Sequence, residues 1–361
     1  MNVVKATRQF EAWLGKHTPL VKKDLRIKHE AMKSAAFPFL RATYYRWAQI
    51  WPKVCPDLVK SPQVLAVGDL HVENFGTWRD IEGRLIWGVN DFDEAYPLPY
   101  ANDLVRLGVS AHLAAEAGEL ALKGKNICAA ILDGYTEGMR AEGQSYVLGE
   151  THTWLRQIAE SKLRDPIRFW AKMSALPTVK GDAPVSALEA IEHLMPTPRI
   201  PYRLARRVAG LGSLGHARFV ALADWHGGKI AREAKALVSS AVAWAQDQQA
   251  PAEILYQAII SRAVRCPDPF VQLRAHWVVR RLSPHCSRIE LAALHAPGKE
   301  LRLLHAMGWE TANIHLGTRT KRKQILDHLK KQRPKWLHEA ADDMVTAVVS
   351  DWKTWKKDGY V

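Results

Sequence analysis

The sequence predicts an α+β protein with two lobes, a large lobe that is mostly helical and a small lobe that is rich in β-strands. Three observations predict this fold class. Apolar residues recur at helical spacing before residue 52 and again after Pro297. Two β-compatible runs flank a polar loop between residues 64 and 89, and short β-compatible runs separated by glycines fill residues 203–290.

The N-terminal segment is predicted to form helices. In the last of them apolar side chains recur at intervals of three and four residues through Leu40, Tyr44, Trp47 and Trp51. Pro52 follows at once and is expected to end this helix, because proline lacks the backbone N–H that a helix interior needs.

Two strands and a long helix are predicted next. The strands are residues 64–67 and 85–89, and each is followed by acid and amide side chains. Either Asn102 or Asp103 is expected to cap the helix after them, whose apolar stripe runs as far as Gly118.

A proline-rich stretch at residues 195–201 is the predicted boundary between the lobes. We assign residues 1–200 to the helical lobe with the polar loops and residues 201–290 to the β-rich lobe. Residues 291–361 are expected to form C-terminal helices that pack back on the helical lobe.

Within the β-rich lobe the local patterns are less uniform. The segment HARFVALADW, residues 216–225, fits a strand as well as a helix. A helical stretch is expected to begin near Lys235, and the run from Trp277 to Leu282 is predicted to be a strand closed by Ser283 and Pro284.

Composition indicates a globular protein that is not membrane-embedded. The chain has 361 residues, and no run of about eighteen apolar residues occurs in it. The N-terminal residues lack the apolar core of a secretion signal, so a cytoplasmic location without a membrane span is expected. The cysteines Cys55, Cys128, Cys266 and Cys286 are far apart and form no C-x-x-C pair, so they suggest neither a zinc site nor a disulfide framework.

The formal net charge of +14 favours anionic partners such as nucleotides, phosphates or nucleic acid. Basic residues concentrate in residues 1–60 and 319–335. The second segment is typical of a surface helix with a solvated basic face, and it would also suit an anionic acceptor or nucleic acid. No zinc finger or other nucleic-acid motif supports nucleic-acid binding beyond charge.

The loops after the first two strands carry the residues with the clearest chemical pattern. Asp69 and Asn74 have the D-x-x-x-x-N spacing of a kinase catalytic loop, where the Asp meets the acceptor hydroxyl and the Asn holds metal. Asp91 and Asp93 follow the next strand, where such enzymes place a metal-binding Asp. Carboxylate and amide oxygens suit Mg²⁺. The alternative is that these residues, with His71, only shape and cap turns.

A metallophosphoesterase is a rival interpretation of the same loop. Asp69 and His71 have the spacing with which such enzymes bind one metal of a pair. That chemistry needs further ligands, usually in the motifs G-D-x-x-D and G-N-H-[DE], and neither motif is present.

The segments GDLHVENFG, VNDFDEA and NDLVRLGVSA resemble the catalytic core of aminoglycoside- and choline-type phosphotransferases. The pattern of those enzymes is H-G-D-L-H-x-x-N followed by I-D-F-x-D-A. The chain is still more similar to the bacterial family of unknown function DUF2252, and that similarity extends to residues 37–47, 210–219, 232–235, 276–282 and 306–315. The resemblance implies a protein-kinase-like fold and phosphoryl transfer from ATP or GTP with Mg²⁺, to an acceptor that it does not identify.

The resemblance also assigns roles to the loop residues. It makes Asp69 the catalytic base or hydroxyl-orienting group and Asn74 and Asp91 the Mg²⁺ ligands. His71 matches the second His of H-G-D-L-H, whereas Val67 replaces the first and removes a hydrogen bond that braces the loop.

Two neighbouring acids have open roles. Asp93 and Glu94 either assist the metal or the acceptor, or form an ordinary solvated acidic turn. Asp103 is expected to cap its helix and brace the loop rather than touch substrate.

A glycine-rich loop is the predicted phosphate-binding element. Gly210, Gly212, Ser213 and Gly215 form G-x-G-x-x-G, which suits a kinase loop over phosphates or a Rossmann turn with Glu233 as the ribose-binding acid. The preceding residues are too charged for the buried first strand of a parallel sheet, which favours the kinase-type loop.

A kinase-type site also needs a cation on the following strand. Lys229, Arg232 and Lys235 are available, with Arg232 the first candidate and Lys235 the second. The resembled family has Lys-Glu-Ala where this chain has Arg232-Glu233-Ala234, and Arg and Lys are not equivalent at such a position. A solvated basic edge is the alternative.

The order of these parts is reversed relative to a kinase, because the glycine loop follows the catalytic loop by about 140 residues. We therefore expect a circularly permuted kinase-like fold, in which the helix ending at His315 precedes the catalytic loop in space. The expected function is an ATP- or GTP-dependent phosphotransferase. The alternatives are an inactive kinase-like protein or a basic protein that binds nucleic acid or other anions, and, less favoured, a metallophosphoesterase.

Overall fold

The computed structural model describes residues 1–118, 120, 122, 124–159, 165–181, 183–248, 252–286 and 297–360. Helices and strands are both abundant in these parts of the chain, which confirms the α+β class. The division of the chain into three parts stays a prediction, and its boundary at residues 290 and 291 lies outside the described residues.

The N-terminal helices are α1 (Val3–His17), α2 (Lys22–Ser34), α3 (Ala36–Ala42) and α4 (Tyr44–Val54). The apolar stripe through Tyr44, Trp47 and Trp51 is buried. Leu40 belongs to the preceding helix α3, because Thr43 is not helical and separates α3 from α4. The helix also continues past Pro52, and its last turn closes with Cys55 N donating to Trp51 O at 2.9 Å.

Both predicted strands of the loop region are present. Strand β1 (Gln63–Ala66) pairs antiparallel with β4 (Tyr96–Pro99). Strands β2 (Phe75–Arg79), β3 (Leu85–Val89) and β5 (Tyr146–Val147) form a three-stranded sheet in that order. The loops after β1 and β3 are therefore held by strands on two adjacent sheets.

Helix α5 (Tyr100–Glu116) is the most deeply buried helix segment near these loops, since every residue from Tyr100 to Ala114 is buried. It begins two residues before Asn102, and no side chain caps it, so the expected cap at Asn102 or Asp103 is wrong. Both polar side chains instead point into the protein, where they bond to neighbouring segments.

The remaining helices of the described residues are α6 (Gly124–Arg140), α7 (Thr153–Ala159), α8 (Pro166–Ser174), α9 (Val185–His193), α10 (Ala241–Ala245), α11 (Tyr256–Arg262), α12 (Pro297–His315), α13 (Arg322–Lys331) and α14 (Trp336–Asp358). Helices α6 and α12 cross at very short range. A Cβ at Gly134 would lie 1.9 Å from His305 O, and a Cβ at Gly308 would lie 2.0 Å from Ile131 O. Helix α14 packs on α5 and α6.

A five-stranded antiparallel sheet follows the helical segments. Its strands are β6 (Arg203–Arg206), β7 (Arg218–Trp225), β8 (Gly228–Ala236), β9 (Val271–Arg274) and β10 (Trp277–Leu282), and their order is β6-β7-β8-β10-β9. The strand predicted from Trp277 to Leu282 is confirmed. Helix α9 covers one face, where Ile191 packs with Ala234 and Val279.

The helix expected to begin near Lys235 is wrong, because Lys235 lies inside β8, the central strand. Lys235 is in register with Arg218 of β7 and Val278 of β10. The segment is rich in good helix formers, but pairing on both sides outweighs this weak local preference.

Helix α2 contacts the loop that joins β6 and β7. Asp24 forms a 2.6 Å ion pair with Arg206 of β6, and Val21 N donates to Gly215 O at 2.9 Å. The sheet is therefore fastened directly to the N-terminal helices. Within the described residues, no helix has both the length and the apolar character that crossing a membrane requires.

Candidate functional site

A cleft of about 1340 Å³ lies between the five-stranded sheet and the loops that follow β1 and β3. The predicted site residues that line it are Asp69, His71, Asn74, Asp91, Asp93, Gly210, Gly212 and Ser213. Gly215, Arg232 and Lys235 do not line it directly. The cleft is large enough for a nucleotide together with a small acceptor.

The loop after β1 depends on a glycine and on a buried carboxylate. Gly68 has a φ of +81°, and a Cβ there would lie 2.4 Å from Glu94 O. The Asp103 carboxylate accepts from Val67 N at 2.7 Å and Gly68 N at 3.0 Å, and it also bonds His315 Nε2 at 3.0 Å. The loop that carries Asp69 is thus braced by α5 and by the end of α12, although Val67 itself offers no side-chain hydrogen bond.

Asp69 is fixed by a buried arginine. Arg106 Nε donates to Asp69 Oδ1 at 2.8 Å, and its Nη2 atom makes a second, shorter bond to the same oxygen. The guanidinium is sandwiched between aromatic rings, 5.0 Å from the Tyr44 centroid and 4.9 Å from that of Trp47. Burial raises the pKa of Asp69, and Arg106 opposes the rise. Arg106 therefore holds the carboxylate in one orientation.

His71 and Asn74 close the loop through a short 3₁₀ turn. His71 N donates to Asn74 Oδ1 at 2.8 Å, and Glu73 N donates to His71 Nδ1 at 3.3 Å. The two side chains thus cap this turn, as the alternative interpretation of the sequence expects. A ligand role for Asn74 would use the second lone pair of its oxygen.

Asp91 and Asp93 meet the buried Lys235. Lys235 Nζ lies 3.2 Å from Asp91 Oδ1 and also bonds Asp93 Oδ2 at a shorter distance. Burial and the adjacent Asp91 carboxylate raise the pKa of Asp93 to about 7. Burial alone would raise the pKa of Asp91 as well, but Lys235 and the bond to Asp93 hold it below its ordinary value.

The two acids form a donor set that fits a hard divalent cation. Asp93 Oδ1 is buried and has no hydrogen-bond partner among the described residues. Leaving a buried acceptor unpaired is unfavourable, and a bound cation would remove that penalty. Glu94 is directed elsewhere, since its Oε2 atom accepts from Ser240 Oγ at 2.8 Å and Ala241 N at 2.7 Å. It caps α10.

The glycine-rich loop joins β6 to β7 and lies over Asp69. A Cβ on Gly212 would lie 3.5 Å from Asp69 Oδ2 and 3.1 Å from Arg41 O. Lys28 Nζ donates to Gly212 O at 2.9 Å, and Arg218 Nη2 donates to Ser213 Oγ at 2.7 Å. Because the loop connects antiparallel strands, it is not the turn of a Rossmann unit.

Glu233 is not a ribose-binding acid, because it is buried within a cluster of arginines. Its carboxylate bonds Arg207, Arg218 at 3.1 Å and Arg280 at 2.8 Å. Burial would raise the pKa of Glu233, but the three guanidinium groups lower it well below its ordinary value. The arginines line the cleft and give its sheet side an excess of positive charge. Arg218 lies on β7, Arg280 lies on β10 and Arg207 directly follows β6, and no single sequence motif indicates the cluster.

Arg232, the first candidate for a phosphate contact, is not brought to the cleft. Its side chain lies on the opposite face of β8, donates to Leu194 O at 2.8 Å, and stacks on Phe270 at 4.7 Å. Successive side chains of a strand point to opposite faces, so Lys235 faces the acids and Arg232 cannot. Lys229 is at the exposed hairpin end, 3.3 Å from Asp224.

The basic segment at residues 319–335 includes α13. This helix buries Ile325 and exposes Lys323 and Lys330, which is the pattern of a surface helix with a solvated basic face. None of these residues lines the cleft.

Comparison with known proteins supports one part of the sequence interpretation. Residues 20–173 match the model of DUF2252, a family described as an uncharacterized protein conserved in bacteria. The DUF2252 match covers both polar loops and stops before the five-stranded sheet. No curated protein and no solved structure matched the chain. The resemblance to aminoglycoside- and choline-type phosphotransferases, and the similarity to DUF2252 beyond residue 173, stay predictions.

Proposed function

We propose that the protein is a phosphotransferase that uses ATP or GTP and Mg²⁺, with a circularly permuted kinase-like fold. One observation carries the proposal. Lys235 on the central strand of the sheet reaches the two acids after β3, while the glycine loop lies over Asp69. The candidate phosphate-binding cation thus lies directly behind two acids that line the cleft, and these acids would hold metal there, together with an Asp that would orient the acceptor hydroxyl.

The position of each part within the sheet supports the proposal. The glycine loop joins the first and second strands of this sheet, and Lys235 lies on the third. Protein kinases place a glycine-rich loop over the phosphates and the phosphate-contacting lysine on the third strand. A binding site assembled by chance would not need to repeat that order.

The contact between α12 and the catalytic loop supports the permutation. His315 at the end of α12 bonds Asp103, which in turn holds the loop before Asp69, and Leu65 N donates to Thr318 Oγ1 at 3.0 Å. The end of α12 and the residues after it therefore lie next to β1, although β1 precedes them in sequence by more than 200 residues. A fold tolerates circular permutation when its chain ends lie at the surface and close together.

Each cleft residue has a defined task in this proposal. Asp91, Asp93 and Asn74 would hold Mg²⁺, which supplies positive charge next to the phosphates. Lys235 would contact the α- and β-phosphates, and the arginines around Glu233 would attract the anionic nucleotide. Asp69 would orient the acceptor hydroxyl and accept its proton as the new bond between the acceptor oxygen and the γ-phosphorus forms and the bond to the nucleoside diphosphate breaks.

The alternative is an inactive protein that binds anions. The anion-binding alternative is favoured because the charged groups of the cleft are already paired without a ligand. Arg106 makes two bonds to Asp69, and Lys235 bonds both Asp91 and Asp93. The arginine cluster would then be the anion site. A metallophosphoesterase is less favoured, because a lysine between two acids occupies the space where such an enzyme needs a second metal.

Thermal stability with and without ATP and Mg²⁺ tests the proposal. A ligand at a hundred times its Kd adds about 2.7 kcal/mol to the free energy of unfolding. Lys235→Met is expected to weaken binding about tenfold, or ~1.4 kcal/mol. Lys229→Met is the matched control, because Lys229 lies on the same strand but at its exposed end.

Two results would separate the candidate functions. No thermal shift with any nucleoside triphosphate would remove the support for the phosphotransferase. A shift that survives Lys235→Met and needs no Mg²⁺ would favour the anion-binding alternative.

A further inference from the structure

Three helices bring together metal-binding side chains away from the cleft. One potential ligand atom from each of His112 on α5, Cys128 on α6 and His338 on α14 lies within 4.8 Å of the other two. None of the three residues lines the cleft. The cluster is therefore independent of the proposed phosphotransferase site.

The hydrogen bonds of His112 prepare one ring nitrogen for a metal. Its Nε2 atom lies 3.1 Å from Gly124 O, and a proton on Nε2 that is donated to this carbonyl leaves the lone pair on Nδ1 available. Metal-binding histidines commonly donate their other N–H in this way. Gly124 permits the approach, because a Cβ there would lie 2.4 Å from His112 Cε1.

His338 and Asp342 complete the cluster. His338 Nδ1 is buried and has no hydrogen-bond partner among the described residues. Asp342 Oδ1 lies 3.4 Å from Nδ1 of His112 and 3.4 Å from Nδ1 of His338. A buried nitrogen that makes no hydrogen bond and lies 3.4 Å from a carboxylate that also faces a second imidazole is an arrangement that a cation would stabilise.

We propose that His112, His338, Cys128 and Asp342 form a zinc site. Zinc binds histidine nitrogen at about 2.0–2.1 Å and cysteine sulfur at about 2.3 Å, so adjacent ligand atoms of a tetrahedral site are about 3.3–3.6 Å apart. The two distances of 3.4 Å between Asp342 and the imidazoles already match this spacing. The Cys128 sulfur is 3.6 Å from His112 Nε2, on the Gly124 side of the ring, so its side chain would have to move towards Nδ1 to complete the site.

The donor set determines the class of metal. One thiolate, two imidazoles and one carboxylate suit zinc, whereas Mg²⁺ and Ca²⁺ prefer oxygen ligands alone. All four positions would be filled by the protein, which is typical of a structural site. The ion would join α14 to α5 and α6 at the end of α5, beside the start of α6.

Cobalt and zinc binding to the full-length protein test the site. After removal of bound metal by a chelator, we expect one zinc ion per chain on readdition, and cobalt is expected to give an absorption band from charge transfer between thiolate and metal. Cys128→Ser should remove that band, and His338→Gln and Asp342→Asn should weaken zinc binding about tenfold or more.

Matched variants separate metal binding from loss of folding. Cys55→Ser alters another buried cysteine, and His305→Gln alters another partly exposed histidine that pairs with Glu137. Both should keep stoichiometric zinc and the cobalt band. His338 and Asp342 are partly exposed, so their variants are expected to fold, which circular dichroism checks.

Two results would contradict the proposed zinc site. Failure of the folded wild-type protein to retain stoichiometric zinc would exclude the site. Zinc binding of equal affinity in Cys128→Ser and His338→Gln would place the ion elsewhere. Nucleotide binding in the cleft is a separate measurement, so neither outcome depends on the proposed function.

Discussion

Asp69 takes its orientation from Arg106, whose side chain is wholly buried beneath the loop that follows β1. The ion pair leaves Asp69 Oδ2 on the side of the glycine loop, where a Cβ of Gly212 would be 3.5 Å away. An acceptor hydroxyl held between this oxygen and a γ-phosphate would be aligned for in-line transfer. The residue is thus suited to orient a hydroxyl without binding the nucleotide itself.

Replacement of Asp69 by asparagine is expected to separate binding from turnover. Asp69→Asn should keep nucleotide affinity within a factor of about two, because the metal-binding acids and Lys235 are unchanged, and should lower phosphoryl transfer about 10²–10⁴-fold. Calorimetric titration and release of nucleoside diphosphate measure the two effects. Asp224→Asn, at an exposed hairpin end, is the control that should change neither. Equal loss of binding and turnover would contradict the assigned role.

Glu310 gives a prediction about pH and stability. Burial raises its pKa to about 7, although Arg265, Asn313 and Val89 N favour the charged form. The folded protein therefore binds this proton more tightly than the unfolded chain, so its contribution to stability is complete below about pH 4.5 and is lost as pH rises towards 7. The loss amounts to about 3 kcal/mol.

We expect Glu310→Gln to flatten this dependence. The free energy of unfolding, measured by denaturant titration between about pH 5 and 7, should fall less steeply with pH in the variant than in the wild type. Glu137→Gln, on an exposed surface beside His305, is the control and should keep the wild-type slope. Identical slopes in all three proteins would show that Glu310 does not titrate in this range.

Arg232 and Lys235 show how far the role of a single residue could be predicted from the sequence. The pattern in the glycine loop and the family resemblance indicated that a cation was needed, but not which one. Choosing the cation required knowing that β8 is a strand and which of its side chains point to the cleft. The residues around Lys235 are good helix formers, so the sequence did not indicate this strand. The arginine cluster around Glu233 was missed for a related reason, because Arg218 and Arg280 approach Glu233 through the register of β7, β8 and β10, and Arg207 approaches it from the end of β6.

The glycine loop is held from one side by α2 and the residue before it. Lys28 bonds Gly212 O at 2.9 Å, and Val21 N bonds Gly215 O at 2.9 Å. Burial lowers the pKa of Lys28, while Glu11, Glu94 and Asp69 raise it. The loop therefore lies in a fixed position over Asp69 rather than free in solvent.

A side chain added to the loop is expected to block the cleft without unfolding the protein. In Gly212→Val, the first added carbon would lie 3.1 Å from Arg41 O, and a branch would fill the space next to Asp69. We expect nucleotide affinity to fall about tenfold while the melting temperature of the ligand-free protein changes little. Gly228→Val, whose Cβ has only Trp225 O at 3.7 Å, is the matched control. Unchanged affinity in Gly212→Val would contradict a phosphate-covering loop.

Elements with a clear apolar period could be predicted well, including short strands. The strands at residues 64–67 and 85–89 and the apolar face of α4 follow from alternation and helical spacing. The cap expected at Asn102 or Asp103 failed because both side chains serve partners distant in sequence. The cluster of His112, Cys128, His338 and Asp342 gave no signal in the sequence, since these residues are separated by up to 230 positions and share no motif.

For the whole molecule, the net charge of +14 allows polyanion binding that has nothing to do with the cleft. Binding to RNA or DNA through surface lysines should weaken steeply as salt concentration rises. We expect Lys235→Met to leave such binding unchanged, because Lys235 is buried, and to weaken binding of ATP with Mg²⁺. Fluorescence anisotropy at several salt concentrations measures both. Loss of nucleic-acid binding in Lys235→Met would indicate that the cleft is a nucleic-acid site.

The α+β class could be predicted from sequence, and so could the position of the two polar loops after β1 and β3, because alternating apolar runs precede them. Their assembly could not, because it depends on a sheet that follows them by more than a hundred residues and returns to cover them. Lys28 of α2 bonds Gly212 O of the glycine loop, and His315 at the end of α12 bonds Asp103 of α5, which braces the loop before Asp69. These contacts join segments that are far apart in sequence, so no local pattern indicates them.

A crystal structure with Mn²⁺ and a non-hydrolysable ATP analogue would show whether the cleft binds metal and nucleotide as proposed. Anomalous scattering locates manganese, which is expected within about 2.0–2.6 Å of carboxylate oxygens of Asp91 and Asp93. The phosphates should lie between Lys235 and the glycine loop, with the γ-phosphate facing Asp69. Manganese and nucleotide bound elsewhere, or a cleft that stays empty at saturating concentrations of both, would contradict the proposed site.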